Sequence, residues 1–418
     1  MKIHSFGDLI SIKKGRKPLR LVSTAADGAV PYATTDYFRK GASVQYVPIN
    51  ELSTCITIQS GCSVLIWDGS NAGEVFLGTG GVLASTMALI KPVHTNLLPI
   101  FSYYFLKTAF ETLNGGTTGS TIPHVNKNAL ETLPILVPSV IEQRKIGAIL
   151  QKVEQAIAIL ARLKKVSNEL KTNVMTQLFT RGLRGEPQKE TEIGLMPDSW
   201  DVVQLGTLGK IGNGSTPKKT TPEYWVGGTY PWLTSAKVYD REITSADQFV
   251  TGVALAECHL PRVKPGAVLM AITGQGKTLG HCAVLNIESS VSQHVAYLQT
   301  DTSKADPSFI RGYLETQYEY LRQVASGGGS TKGALTCAFL KSLPVPLPEL
   351  SEQREIVTVL DAIDQKIALH QQKKSVLDAL FRSLLHKLMT GEISVEALDL
   401  SALTLKEPQP HTEAEAPS

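Results

Sequence analysis

One stretch of this sequence occurs twice, and that duplication restricts the possible folds more than any other feature. The segment LPILVPSVIEQRKIGAILQKVEQAI begins at Leu133, and LPVPLPELSEQREIVTVLDAIDQKI begins at Leu343. They align without a gap at an offset of 210 residues. A weaker similarity with shifting offsets extends upstream, as between FGDLISIKKGRKP at Phe6 and LGTLGKIGNGSTP at Leu205. The repeat indicates two copies of one unit, each a variable domain followed by a well-matched segment.

The two matched segments are predicted to be long helices. Ser139 with Glu142 three positions later forms a capping box after a proline. Apolar residues then recur at intervals of three and four over more than four heptads, which is typical of a coiled-coil seam. We expect antiparallel helices of about forty residues, from 139 to about 180 and from 349 to about 390, packed on each other. Lys164 and Lys374 interrupt the seam at equivalent places.

The variable parts are predicted to be similar domains with a sheet core and short helices. Runs such as CSVLIW, HCAVLNI and HVAYLQT are typical of strands and are separated by Gly, Ser, Thr and Asn clusters. The fold class is therefore α+β, with two similar domains separated by the long helices. The predicted boundaries are 1–138 (first variable domain), 139–185 (first helix), 186–347 (second variable domain), 348–395 (second helix) and 396–418 (a disordered tail).

Composition permits many functions and excludes few. The 418 residues are 42% hydrophobic and 19% charged with a formal net charge of +3, which suits a soluble folded protein and allows nucleic-acid binding without arguing for it. No apolar run approaches the ~20 residues of a membrane helix, and the start lacks a long apolar signal region. Five scattered cysteines suit a reducing compartment. We expect a cytoplasmic protein that does not contact a membrane.

The stretch AITGQGKT, from Ala271 to Thr278, satisfies the loose form of a nucleotide-binding signature. Such a loop needs a strand before it and a helix after it. GAVLMAI supplies the strand, but Gly280 and β-like residues follow, so no helix is expected there. We do not expect ATP binding by this chain. Gln275 and Lys277 instead suit contact with a base edge or a phosphate.

Other chemical motifs are weak. Cys258-His259 and His281-Cys282 could together supply four zinc ligands, but their spacing matches no standard zinc pattern. The sequence DPSF at Asp306 is close to the tetrapeptide of adenine methyltransferases, yet a turn into a helix with Pro307 at its first position explains it better. We therefore predict no catalytic residue and no metal site in this chain.

The arrangement resembles a known family. Two variable domains that alternate with two long helices, each entered through Pro-x-x-x-Glu-Gln-Arg, are similar to the specificity subunit of type I restriction–modification systems. The resemblance extends from Phe6 to about Val395, and its most specific parts are VPSVIEQRKI, LPELSEQREI and GLMPDSWDVVQL. The two Glu-Gln-Arg motifs have two open interpretations, as stabilisers of a helix start or as docking residues for a partner.

The resemblance implies that each variable domain is a target-recognition domain that reads one half of a split, asymmetric site in double-stranded DNA. It implies that the helix pair sets the spacing and docks two methyltransferase subunits, with restriction subunits joining that core. S-adenosylmethionine, ATP and Mg would then belong to the partners, with no cofactor in this chain. Duplication independently suits two half-sites about one helical turn, ~34 Å, apart. The alternative is a coiled-coil scaffold or interaction protein without sequence-specific DNA binding.

Candidate DNA-binding residues are the polar and basic side chains of the matched loops, where Lys and Arg favour phosphates and Asn or Gln can read adenine. In the first domain they are Arg16, Lys17, Arg20, Thr35, Tyr37, Ser70, Asn71, His124, Asn126 and Lys127. In the second domain they are Lys218, Lys219, Ser235, Lys237, Gln275, Lys277, His294 and Lys332.

Overall fold

The chain is divided into two units, and each holds one variable domain with part of both long helices. The structure is a computed structural model that describes residues 2–25, 28–119, 122–274, 276–327 and 333–395. The first unit comprises residues 1–161 and 372–418, and the second comprises residues 162–371. The tail predicted to be disordered, 396–418, lies outside the described residues.

The first variable domain contains nine short strands and four short helices in its described residues. The strands are β1 (Lys2–Ser5), β2 (Ile10–Lys14), β3 (Val30–Ala33), β4 (Tyr46–Val47), β5 (Ser63–Ile66), β6 (Val75–Leu77), β7 (Val82–Leu83), β8 (Met87–Pro92) and β9 (Pro134–Val137). The helices are α1 (Thr35–Lys40), α2 (Pro99–Thr108), α3 (Phe110–Gly115) and α4 (Lys127–Glu131). The strands form three sheets, in the orders β2-β8-β5-β6, β4-β3-β7 and β1-β9.

The main sheet of this domain is buried on both faces. All four residues of β5 are buried, and Val64, Leu65 and Ile66 alternate between two apolar clusters as the pleat requires. Leu65 packs with Phe101 and Tyr104 of α2, whereas Val64 and Ile66 pack against β3 and β7 on the opposite face. The sequence CSVLIW does not alternate between apolar and polar residues, because a strand that is covered on both faces needs apolar residues on both.

The second half of the chain repeats these elements. The first long helix, α5 (Val140–Arg181), is followed by β10 (Gln188–Thr191), β11 (Gly194–Pro197), β12 (Asp201–Gln204), β13 (Gly209–Asn213), β14 (Tyr230–Leu233), β15 (Glu242–Ile243), β16 (Gln248–Val250), β17 (Ala267–Ala271), β18 (Cys282–Leu285), β19 (Ser290–Val291), β20 (Val295–Thr300) and β21 (Pro344–Leu347). The remaining helices are α6 (Gly252–Glu257), α7 (Pro307–Thr316), α8 (Tyr318–Gly327), α9 (Cys337–Ser342) and α10 (Leu350–Met389).

The second variable domain has the same topology as the first. Its sheets are β13-β20-β17-β18-β15, β16-β14-β19 and β12-β21, which match those of the first domain with β15 added at one edge. The predicted α+β fold with a sheet core and short helices is confirmed in both halves. The hairpin β10–β11 precedes the second domain, and no equivalent is present in the described part of the first half.

The two long helices are close to the predicted ones. They cover Val140–Arg181 and Leu350–Met389, within one residue or so of each predicted end. Their packing is antiparallel in each unit. In the first unit Ile146 and Leu150 share a core with Leu388. In the second unit Lys171 Nζ lies 3.1 Å from Asp364 Oδ1.

Polar contacts occur where the apolar seam is interrupted. In the second unit Lys164 Nζ donates to Gln371 Oε1 at 2.7 Å, so this lysine crosses to the partner helix. In the first unit Lys374 Nζ lies 2.7 Å from Asp378 Oδ2 on its own helix. No helix in the described ranges, the two long ones included, has the length and apolar character that a membrane span needs.

The two Glu-Gln-Arg motifs share the contacts of their glutamine but not those of their glutamate. Ser139 and Glu142 form the predicted capping box, with Glu142 N–H donating to Ser139 Oγ at 3.3 Å and Ser139 N–H to Glu142 Oε2 at 3.1 Å. Gln143 is fully buried and its Oε1 accepts from Leu98 N–H at 2.8 Å. Gln353 accepts from Asp306 N–H at the same distance in the second unit. Glu142 therefore supports the helix-start interpretation for α5. Glu352 instead accepts from Leu183 N–H at 2.8 Å and from Trp200 Nε1 at 3.1 Å, so it holds the chain that follows α5.

Candidate DNA interface

Polar side chains gather at one edge of the main sheet in the first variable domain. β2 and β5 both pair antiparallel with β8, so the carboxyl ends of β2 and β5 lie at the same edge. Lys14 ends β2, and its Nζ lies 2.9 Å from Oδ2 of Asp68, which follows β5. His124 Nδ1 lies 3.4 Å from Asp68 Oδ1. Asp68 therefore joins three loops, and we call Lys14, Asp68 and His124 the first edge cluster.

Several predicted residues surround the first edge cluster. Arg16 and Lys17 follow Lys14 in the chain and are exposed. Ser70 and Asn71 are exposed in the loop that carries Asp68, and Asn114 Nδ2 fixes this loop by donating to Ser70 O at 3.0 Å. The structure thus brings Arg16, Lys17, Ser70, Asn71 and His124 to one region of the domain.

Other predicted residues of the first domain have structural contacts of their own. Asn126 caps α4 by accepting from Ala129 N–H at 3.1 Å, and Lys127 pairs with Glu131 at 3.4 Å. Tyr37 is half-buried on α1, as is Thr35. Arg20 is exposed, and in the described residues no side-chain hydrogen bond or ion pair joins it to the first edge cluster.

The second variable domain has an equivalent edge with different side chains. β13 and β17 both pair antiparallel with β20, so their carboxyl ends also lie together. Thr273 follows β17, and its Oγ1 lies 2.5 Å from Nδ1 of His294. Gln293 Nε2 lies 3.2 Å from His294 Nε2, and Thr216 from the loop after β13 hydrogen-bonds to Gln293. We call Thr216, Thr273, Gln293 and His294 the second edge cluster.

The backbone shows that one residue of each cluster occupies an equivalent position. Trp67 N–H donates to Thr86 O at 2.8 Å, and Ile272 N–H donates to His294 O at 3.0 Å in the same arrangement. Asp68, which follows Trp67, is therefore equivalent to Thr273, which follows Ile272. The histidines are not equivalent, because His294 takes the place of Thr86, and Ala334 bridges to Thr273 as His124 bridges to Asp68. The first cluster thus presents a carboxylate, an ammonium and an imidazole, and the second presents hydroxyls, an amide and an imidazole from a different position.

The remaining predicted residues of the second domain fall into two groups. Lys218, Lys219 and Lys277 are exposed, and Lys219 Nζ lies 5.9 Å from the centre of the Trp225 ring. Lys237 is only 15% exposed and pairs with Asp240 at 2.9 Å, which raises its pKa above the usual lysine value. Ser235 is half-buried at the start of a short 3-10 helix. Gln275 and Lys332 lie outside the described residues.

The loop that carries the nucleotide-binding signature has the structure that the sequence predicts. β17 precedes it, and the described residues from Gly276 to Gly280 form turns that lead into β18 rather than into a helix. Tyr318 hydroxyl donates to Lys277 O at 2.7 Å and Arg322 to Gly276 O at 2.8 Å, so the backbone is held from α8. This loop lacks the helix N-terminus that binds phosphates in nucleotide-binding folds.

The two Cys-His pairs also belong to different environments. Cys258 packs beside the Trp232 cluster, whereas Cys282 is buried in the core with Phe309. His281 lies between the rings of Tyr239 and Tyr318, with centroids 4.7 Å away on each side. Among the described residues no group of three or more His, Cys, Asp or Glu side chains is arranged to hold a metal ion.

The edge clusters include residues that the sequence alone did not single out. Lys14, Asp68, Thr216, Thr273 and Gln293 were absent from the predicted set, although each lies within a few residues of a strand end. The end of a matched strand was the available signal, because loops at the carboxyl ends of β2 and β5 and of β13 and β17 converge.

A comparison with protein families decides the identity. A family model described as the type I restriction modification DNA specificity domain matches residues 1–169 and again residues 197–379. The chain belongs to this family. It is a DNA specificity subunit of a type I restriction–modification system with two DNA specificity domains, and the scaffold alternative without sequence-specific recognition is not favoured.

Relatives of this specificity subunit span nearly its whole length. It is 28% identical over 398 residues to the specificity subunit of the type I restriction enzyme MjaVIII from Methanocaldococcus jannaschii, covering 94% of this chain and 93% of the relative. It is 21% identical over 351 residues to the EcoBI specificity subunit from Escherichia coli, covering 79% and 73%. Its fold is similar to the S subunit structure from M. genitalium, with a TM-score of 0.62, 17% identity and coverage of 93% and 96%.

Proposed function

We propose that each variable domain of this specificity subunit reads one half of a bipartite, asymmetric site in double-stranded DNA, and that the two long helices set the spacing between the halves. The observation that carries the proposal is the pair of edge clusters. They lie at the same edge of the main sheet in two domains of one topology, around the equivalent residues Asp68 and Thr273, and they present different side chains. Because base recognition depends on the donors and acceptors offered to each base edge, the two half-sites should differ in sequence.

The exposed cations beside the clusters suit contact with the DNA backbone. Arg16 and Lys17 flank the first edge cluster, and Lys218 and Lys219 follow the loop of Thr216 in the second. Such side chains fix the register and orientation of a protein on the duplex, whereas polar groups on loops read base edges. Each domain therefore offers both kinds of contact in the loops at one edge of its main sheet.

A separate feature of the long helices supports docking of partner subunits. α5 has an exposed apolar row of four residues with three- and four-residue spacing. α10 has apolar residues at three of the four positions 210 residues later, with Lys373 at the fourth. Residues spaced in this way share one face of a helix. The row comprises Ile159, Leu163, Val166 and Leu170 on α5, and Leu369, Val376 and Leu380 on α10.

Exposed apolar rows of this kind mark protein–protein contact sites. Val166 is 52% exposed and Val376 is 62% exposed, so neither is covered within its own unit. We assign the rows to two methyltransferase subunits, one on each helix, with restriction subunits joining that core. S-adenosylmethionine, ATP and Mg then act in those partners in the cytoplasm, and the specificity subunit itself is non-catalytic. Arg144 and Arg354, exposed beside the buried Gln residues, are available to the same partners.

The experiment that tests this function is base-resolution mapping of adenine methylation. A host without such modification would carry the partner methyltransferase subunit with and without this chain. We expect a new two-part motif with unequal halves that appears only when the chain is present.

A matched comparison assigns each half of the motif to one domain. The variant with Arg16, Lys17 and His124 changed to alanine should lose recognition of one half only, and the variant with Lys218, Lys219 and His294 changed should lose the other. If a soluble complex forms but methylates no motif, sequence recognition by this chain would be refuted. If each triple variant affected both halves equally, the assignment of one half per domain would be wrong.

A further inference from the structure

The first and last strands of each variable domain pair with each other. β1 pairs with β9 in the first domain, and β12 pairs with β21 in the second. Residues 2–137 and 201–347 therefore enter and leave the fold at neighbouring points next to a long helix. The two domains share their main topology, but α2 and α7 make different contacts with the long helices.

The first difference is in side-chain size. The helices α2 (Pro99–Thr108) and α7 (Pro307–Thr316) are related by 208 residues, and α5 and α10 by 210. In the first unit Ile100 of α2 lies against Gly147 of α5, where an added methyl group would be 2.9 Å from Ile100 Cγ2. The equivalent residues in the second unit are Ser308 and Val357. The larger residue of the pair is on the variable domain in the first unit (Ile100) and on the long helix in the second (Val357).

The second difference occurs one turn later on the same helix face. Tyr104 of α2 is fully buried, its hydroxyl donates to Glu154 Oε2 at 2.8 Å, and its ring packs near Phe381. Its equivalent on α7 is Gly312. A methyl group there would already be 3.0 Å from Phe179 Cζ and 3.4 Å from Leu360 Cδ1. A tyrosine side chain at that position has no room between these two residues.

The third difference is a reversal of charge. Lys107 of α2 forms an ion pair with Glu154 of α5, and its Nζ lies 5.2 Å from the centre of the Phe381 ring of α10. The equivalent of Lys107 is Glu315, whose Oε1 lies 2.7 Å from Lys171 Nζ of α5. Lys171 is itself equivalent to Phe381.

Further ion pairs surround Glu315 in the second unit. Its other oxygen lies 2.8 Å from Arg311, which is 5% exposed. Arg241 pairs with Asp364 of α10 at 2.5 Å and also with Asp361. Burial raises the pKa of Glu315, but Lys171 and Arg311 outweigh burial and hold that pKa below its usual range, so the carboxylate is charged at neutral pH.

We infer that these contacts make each variable domain complementary to its own end of the helix pair, so that the first domain does not fit the position of the second. Residues 100, 104 and 107 are spaced by four and three, so they share the face of α2 that meets the long helices. In the second position this face would place Ile100 against Val357, Tyr104 against Phe179 and Lys107 beside Lys171. The inference concerns assembly of the chain and is tested without reference to DNA.

The test is a full-length chimera in which residues 201–347 are replaced by a second copy of residues 2–137. It is compared with the same chimera carrying V357G, F179M, K171F and D364E, which give the second end of the helix pair the residues of the first. We expect the ungrafted chimera to unfold about 5–15 °C below the native chain, because overpacking and unpaired buried charge both destabilise. The four grafts should recover more than half of that loss.

The same four substitutions in the native chain are the reciprocal control and should lower its unfolding temperature. Equal unfolding temperatures of the two chimeras, or failure of both to fold, would overturn the inference, because the grafts would then supply no fit. So would a native chain that tolerates all four grafts unchanged.

Point variants of the native chain provide a second measurement that does not depend on the chimeras. G147A should lower the unfolding temperature by several degrees, and I100A should reduce that effect of G147A because the two residues are in contact. G312A should behave in the same way with F179M. G252A is the control, since an added methyl group there meets no atom within 4 Å. Strictly additive effects in both pairs would contradict the inference.

Discussion

The two edge clusters differ in how their histidines are held. In the first cluster Asp68 contacts His124 through Nδ1 only, so Nε2 is not engaged by Asp68. In the second cluster both ring nitrogens of His294 have polar neighbours, Thr273 and Gln293. Asp68 also pairs with Lys14, whereas Arg16 and Lys17 beside the cluster are exposed. The exchange of Asp68 for Thr273 between equivalent positions therefore changes the charge and the hydrogen-bonding groups at this edge of the sheet.

At the level of single residues, Lys277 is expected to contribute to DNA affinity but not to the stability of the fold. Its side chain is exposed at the cluster edge of the second domain. If it contacts a phosphate, Lys277→Ala should weaken DNA binding by the methyltransferase complex about equally for all sequences and reduce the salt slope, log K against log salt, by about 0.9. The thermal unfolding midpoint should not change. Binding titrations over a series of salt concentrations would measure both quantities.

Lys264→Ala is the matched control for this prediction. Lys264 is also an exposed lysine, but it precedes β17 and therefore lies at the opposite end of the strand from Lys277. Its replacement should leave the salt slope unchanged. Equal losses from the two variants would mean that general positive charge, and not the cluster edge, attracts the DNA.

The sequence indicated loops more readily than the contacts of their residues. A loop that follows a strand is visible in the chain itself, and several predicted residues lie in the loops that carry the edge clusters. The hydrogen-bond and ion-pair partners of Asn126 and Lys237 could not be predicted. Asp240 and Asp247, for example, contact Lys237 only in the folded loop. The contact between Thr273 and His294 could not be predicted either, because it depends on β17 and β20 being neighbours.

The elements differ in how well a sequence can specify them. The long helices were predicted almost to the residue, because heptad periodicity and the capping box are local signals that agree. Individual strands such as β5 and β20 were also visible as apolar runs. Their order in the sheet was not, because β13, the first strand of the second domain's main sheet, pairs with β20, its last, and no local pattern encodes such a distant pairing.

The helix pair should act as a ruler that is lengthened in units of one heptad. Duplicating residues 155–161 in α5 and 365–371 in α10 adds seven residues to each helix, or about 10.5 Å, and preserves the seam register. The gap in the methylated motif should grow by about three base pairs at 3.4 Å per pair, with both half-sites unchanged. Methylation mapping would show the new gap.

The control is the same duplication in α5 alone. It should disrupt the packing of the two long helices, because seven added residues shift the part of α5 that follows the insertion relative to α10. If the paired duplication altered the bases of either half-site and left the gap as it was, the helices would not set the spacing.

At the scale of the whole molecule, the two halves of this duplicated chain have diverged little in some elements and much in others. The glutamines near the helix starts kept the same contacts, since Gln143 and Gln353 are both buried and bind equivalent loops. The edge clusters and the faces of α2 and α7 did not. This pattern is expected if the helices serve one kind of partner twice, while the domains serve two different DNA sequences and two separate ends of the helix pair.

Two equivalent apolar rows predict two partner subunits for each chain. Val166→Glu should remove one methyltransferase subunit and Val376→Glu the other, because a charge in an apolar contact must lose its water without gaining a partner. Native mass spectrometry of the purified complex should show two partner copies with the native chain, one with either variant and none with both. Asn168→Glu is the control, since residue 168 lies on a different face of α5. A complex that keeps two partner copies in the double variant would show that the rows are not the docking surface.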